Sequence, residues 1–118
     1  MPGENNSLGQ IEISPAAIAT VASQAVIRSY GIVGLAARNV VDGIANALTR
    51  DPHKGIEVRV DGDEVSLDLY VIVEYGVRIV EVAASAASAV RFKLEQAFDL
   101  RVGEVNVHVQ GLRVSHTD

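Results

Sequence analysis

Ile56-Glu57-Val58-Arg59-Val60-Asp61-Gly62-Asp63-Glu64-Val65-Ser66-Leu67-Asp68-Leu69-Tyr70-Val71-Ile72-Val73-Glu74 decides the fold of this 118-residue chain. Apolar and polar residues alternate on both sides of Asp61-Gly62-Asp63, and that acidic, glycine-centred triplet has turn chemistry. The period of two places Val65, Leu67, Leu69, Val71 and Val73 on one face of a strand. The stretch therefore predicts a β-hairpin with one buried face.

Downstream, Gly76 breaks the strand. Ile79, Ala83, Ala86, Val90, Leu94 and Ala97 then mark the stripe of a long helix over about 77–98. Val80, Ala84 and Ala87 lie beside that stripe and read as the margin of a broad buried face, with a second partner-binding flank as the alternative. Glu74 with Arg78, and Arg91 with Glu95, have the spacing of weak helical ion pairs. Val105, Val107 and Val109 alternate with Asn106, His108 and Gln110, predicting a last strand that Gly111 bulges or ends.

Upstream, Gln10 to Ile13 alternate as a short strand, and Ser14-Pro15 has the form of an N-cap followed by the first helical residue. Ile18, Val21, Ala22, Ala25 and Val26 give a helix over about 15–29 that Gly31 stops in a left-handed conformation. Gly31-Ile32-Val33-Gly34 reads as a tight connection. Val40, Val41, Ile44 and Leu48 suggest a second helix ending before Asp51-Pro52, weakened by Gly43. Residues 1–8 and 115–118 are polar and read as flexible tails around one domain over 9–114. The order β-α-(α)-β-β-α-β predicts an α+β two-layer sandwich: a small, largely antiparallel sheet with helices on one face.

Composition narrows function by exclusion. Fifteen acidic and ten basic side chains give a net charge of −5, and the basic residues are scattered along the chain. Such a chain repels phosphate backbones and anionic membranes, which argues against nucleic acid as a partner. It has no cysteine, so thiolate chemistry and disulfides are excluded. No apolar run approaches the roughly 20 residues of a membrane-spanning helix, so direct membrane insertion is not expected. His53, His108 and His116 show no ligand spacing such as HExxH, and no phosphate-binding glycine motif occurs. Ser14 is explained by capping, while Ser85 and Ser88 lack a nucleophile-elbow context. No catalytic residue, metal or cofactor is implied.

Two interaction sites remain. If the hairpin's apolar face meets the helices, Tyr70 and Ile72 protrude from the opposite face, with Glu74 and Tyr75 following as candidate protein-interaction residues. The alternative is Gly31, Ile32, Val33 and Gly34, a GxxG between two predicted helices. That is where KH domains clamp a nucleic-acid backbone, although Ile32 and Val33 are apolar where such a clamp favours polar or basic residues.

Several segments, in this order and spacing, resemble bacterial alkaline-shock or envelope-stress-response proteins. They are Gly9-Gln10-Ile11-Glu12-Ile13-Ser14, Gly31-Ile32-Val33-Gly34-Leu35, Lys54-Gly55-Ile56, Glu74-Tyr75-Gly76-Val77, Val105-Asn106-Val107 and Gly111-Leu112. The resemblance spans residues 9–114. It implies a non-enzymatic, self-associating scaffold in the cytoplasm, recruited to the inner face of the membrane by a membrane-anchored protein partner and supporting envelope homeostasis. The chain departs from the family in carrying Tyr30 where many relatives have proline, and in the helix-like character of Leu35 to Thr49.

Overall fold

The computed structural model describes residues 3–6, 9–37 and 48–114. Two short strands, β1 (Gly3–Asn6) and β2 (Gly9–Glu12), pair antiparallel, so part of the stretch read as a loose tail is a hairpin. Helix α1 (Pro15–Ile27) begins as expected: the Ser14 hydroxyl accepts from the Ala17 amide at 3.1 Å, and Pro15 occupies the first turn, where no amide is needed. Ile18, Ala19, Ala22 and Val26 form its buried stripe. Gly31 then takes φ +86°, the left-handed turn predicted for it.

Strand β3 (Ile32–Ala36) follows directly, where a tight connection to a second helix was expected. Within that predicted helix, Leu48 instead opens the two-residue strand β4 (Leu48–Thr49), and Val40, Val41 and Ile44 lie outside the described residues. A single helical turn, α2 (Pro52–Gly55), capped by Asp51 on the His53 amide, leads into β5 (Ile56–Asp61). Gly62 at φ +67° turns the chain into β6 (Glu64–Glu74). Helix α3 (Ile79–Phe98) and β7 (Arg101–Arg113) complete the domain, with Asp99 left-handed at φ 56° between them.

β6 is the axis of the sheet. Along one edge its first half pairs antiparallel with β5 and its second half with β3, while β7 runs parallel to it for its whole length. A parallel neighbour needs a crossover, and α3 supplies it. The result is an α+β two-layer sandwich in which α1 packs on β3 and β5, α3 packs on β7, and the helices pack on each other. Ile18, Val26, Leu35, Leu67, Leu69, Val71, Val90 and Leu94 are fully buried between the layers.

Because α1 covers part of the sheet, α3 contributes only a narrow stripe: Val82, Ala86, Val90 and Leu94. The predicted stripe holds at Ala86, Val90 and Leu94 and differs at its margins. Ile79 and Ala97 are exposed, and of the flank read as buried, Val80 and Ala84 face solvent while Ala87 is half-buried. The helical ion pairs also differ. Arg78 pairs with Glu81 at 3.1 Å, and Arg91 instead donates to the carbonyls of Val102 and Gly103, both at 2.6 Å. Two carbonyl acceptors in line suit the planar fork of a guanidinium.

Candidate protein-interaction surfaces

The outer face of the sheet, opposite the helices, carries the alternate residues of β6. At its centre Asp68 accepts from Arg59 on β5 (Nε 3.1 Å, Nη2 3.0 Å) and, on β7, from Asn106 Nδ2 (3.1 Å) and His108 Nε2 (3.0 Å). Partial burial pushes the Asp68 carboxyl up. The hydrogen bonds from His108, Asn106 and Arg59, with the Arg59 charge, outweigh it and hold the group below its ordinary value. An ionised carboxylate only accepts, so Nε2 of His108 is the donor in this bond. The imidazole in turn stacks on Tyr70, with ring centroids 4.5 Å apart and planes 12° from parallel. This network ties three strands together.

Tyr70 and Ile72 do not form an exposed apolar pair. Tyr70 is half-buried against His108, and Ile72 is only 1% exposed. Its cross-strand neighbours are Gly34 on β3 and Gly111 on β7, neither of which has a side chain to hold it out. Leu48 lies over Gly34, so close that a Cβ there would sit 3.1 Å from its Cδ2, and neighbouring Ala36 is buried as well. The outer face thus has a small apolar patch of its own at this end, and Ile72 belongs to it. Glu74 is half-buried, its amide donating to the Gly31 carbonyl at 2.8 Å. Tyr75, 64% exposed, remains available to a partner.

The GxxG turn is also corrected. Only Gly31 is in a turn; Ile32 and Gly34 stand in register with Val73 and Ile72 of β6. A clamp needs a loop free to approach phosphate, whereas here the backbone is committed to the sheet. His53 is exposed on α2, His108 is held by Asp68, and His116 lies outside the described residues. Among the described residues no group of three His, Cys, Asp or Glu is placed to hold a metal ion.

A different surface stands out. At the end of the domain where β6 leads into α3, Tyr30 and Val80 are each 82% exposed, near Tyr75. The Glu74–Gly31 bond and a 2.8 Å bond from the Tyr75 amide to the Arg113 carbonyl bring three chain segments together there. Between the turn after α1, at Tyr30, and the start of α3 lies a cleft of about 430 Å³ lined by Tyr30, Val77, Arg78, Glu81, Val82 and Ser85. A second hollow of about 420 Å³ shares Tyr30 and Ser85 with it and extends to Ala89, Phe92 and Lys93. Exposed aromatics beside small helical residues are the anchors and floor that protein partners use. The sequence signals were Phe92, off the buried stripe of α3, and Tyr30 in place of proline.

Comparison with known proteins follows the same outline. The chain is 41% identical over 110 residues to the uncharacterized protein YloU of Bacillus subtilis, covering 92% of each chain. It is 34% identical over 112 residues to the uncharacterized protein Spy1614 of Streptococcus pyogenes, covering 93% of each. Among solved structures it is similar in fold to the MamM CTD variant H264A (TM-score 0.51, 16% identity, 87% of this chain and 100% of that one). The copper form of the same domain matches with TM-score 0.51 at 17% identity, over 86% of this chain and 90% of that one. A family model, described as having a cell envelope-related function, matches residues 3–114, and the chain belongs to that family, the alkaline-shock protein family.

Proposed function

We propose that this chain is a non-enzymatic scaffold of the bacterial cell envelope, a cytoplasmic domain that self-associates and is held at the inner face of the membrane by a membrane-anchored protein. Family membership supports the envelope role. The observation that carries the binding role is the exposed aromatic end: Tyr30, Tyr75 and Val80 beside the cleft between the turn after α1 and the start of α3. Leaving such groups in water forgoes burial worth about 25 cal/mol per Å² of apolar surface, which a partner recovers. No helix among the described residues is long and apolar enough to cross a membrane.

Sedimentation with inside-out membrane vesicles tests the reading. The wild-type chain pellets with native vesicles, and the pelleted fraction falls at least severalfold when the vesicles are protease-treated beforehand or when Tyr30→Ser/Tyr75→Ser replaces the wild type. Failure to pellet, or equal pelleting with protein-free liposomes, refutes a protein anchor.

A further inference from the structure

β7 is paired with another strand along one edge only. It runs parallel to β6, and no described residue pairs with its other side. Proteins blunt such edges with lysine, proline or short strands. Between Val105 and Val109, β7 has none of these. Its inward valines, Val105, Val107 and Val109, are half-buried, whereas Leu67, Leu69 and Val71 in register with them are fully buried. The helix layer leaves the apolar row unfinished at this edge.

The strand is close to symmetric about Val107. Counting outward, Val105 answers Val109, Gly103 answers Gly111, Val102 answers Leu112 and Arg101 answers Arg113. The irregularities answer one another too. Against β6, register shifts fall between Val65/Leu67 and Val71/Ile72, so β7 carries its extra residues at Gly103-Glu104 and at Gln110. An extra residue reverses which face every later side chain occupies. A strand without bulges at matching positions loses face agreement with β7 beyond Val105 and beyond Val109. A second β7, antiparallel with Val107 opposite Val107, sets Glu104 against Gln110 and keeps Val102, Val105, Val107, Val109 and Leu112 on the helix side throughout.

We infer that a second copy of this chain docks on the free edge of β7, antiparallel and two-fold symmetric about Val107, joining the two sheets into one. The inference rests on the proposed self-association and names its surface and symmetry. Isologous contacts of this kind close after two copies. Arg91 already holds the carbonyls of Val102 and Gly103, so the new main-chain ladder runs over Val105–Val109, with Val102 and Leu112 meeting at its ends. That ladder is short against the roughly 1,200 Å² that stable complexes bury, so the dimer dissociates on dilution.

Because the chain has no cysteine, single spin labels at Glu104→Cys or Gln110→Cys report the seam directly. Both positions lie three residues from the axis. Both therefore give the same separation between copies, ~20 Å between backbones at about 3.3 Å per residue, and a label at Arg101→Cys gives roughly twice that. Asn106→Lys/His108→Lys faces lysines across the seam and weakens dimerisation at least tenfold in sedimentation, with circular dichroism reporting the fold. Unequal distances from Glu104→Cys and Gln110→Cys in a chain that does oligomerise overturn the β7 seam and leave self-association standing. A chain that stays monomeric at every concentration overturns both. Unchanged dimerisation in a folded lysine variant overturns the seam alone.

Discussion

β6 and β7 carry nearly the same pattern, valine or leucine at every second position, and lie side by side in register. Their environments nonetheless differ. Leu67, Leu69 and Val71 of β6 are fully buried, because β3 and β5 flank one edge, β7 the other, and they share one core cluster with the buried residues of α1 and α3. Val105, Val107 and Val109 of β7 are half-buried, with one strand beside them. Alternation specifies which face of a strand is apolar. It does not specify whether the strand is central or at an edge, and that position determines how much each side chain contributes.

The largest expected effect tests this contrast head on. Leu69→Ala removes a side chain from a closed core, leaves a cavity, and costs about 2–5 kcal/mol. Val107→Ala opens onto solvent and costs ~1 kcal/mol, since only part of its transfer energy is at stake. Urea unfolding of both variants at a concentration that keeps the chain monomeric measures the difference. Equal costs would mean that the β7 row is as closed as that of β6.

Two glycines sharpen the same comparison. Gly55, buried at the end of α2, has Leu35 Cβ only 2.8 Å from where its own Cβ would lie. That atom is fixed to the β3 backbone, so Gly55→Ala overpacks the centre and costs about 1–3 kcal/mol. Gly103, in the first β7 bulge, would bring a Cβ to 2.9 Å from Glu64 Cδ and Ser66 Oγ. The Glu64 end can swing away and Ser66 Oγ can turn at the loss of one exposed bond from the Glu104 amide, so Gly103→Ala costs less than Gly55→Ala, by thermal or urea unfolding.

Much of the centre was legible in the sequence and much of the edge was not. The hairpin from Ile56 to Glu74 followed from alternation and a turn, and the start of α1 from Ser14-Pro15, because local chemistry determines both. β3 was hidden: Ile32 to Ala36 is glycine-flanked and short, and it is a strand because the second half of β6 provides a partner. The burial of Ile72 was equally invisible, since it depends on glycines in two distant strands and on Leu48. β7 extends well upstream of Val105 because bulges carry it past the point where alternation fails. The cleft beside Tyr30 needed the turn after α1 to meet the start of α3, which no periodicity places.

The smallest effect concerns Asp68, through which β6 grips β5 and β7 on the outer face. Its carboxyl is held below the ordinary value, so the stabilisation it provides is present above the unfolded-state pKa of about 3.9 and is lost as pH falls through the lower folded value. Arg59 and His108 are nearly half exposed, with side-chain exposures of 46% and 44%, so water screens the interaction. Asp68→Asn therefore costs only about 1 kcal/mol at neutral pH, toward the low end for hydrogen bonds to a charged group. The diagnostic is the shape of the pH profile. Between about pH 5 and 2 the wild-type melting temperature falls more steeply than that of Asp68→Asn, and the two curves converge at the acid end. Parallel curves would show that the network draws nothing from ionisation. The edge strand would then be held to β6 by its ladder alone, and the contrast between centre and edge would be one of packing only.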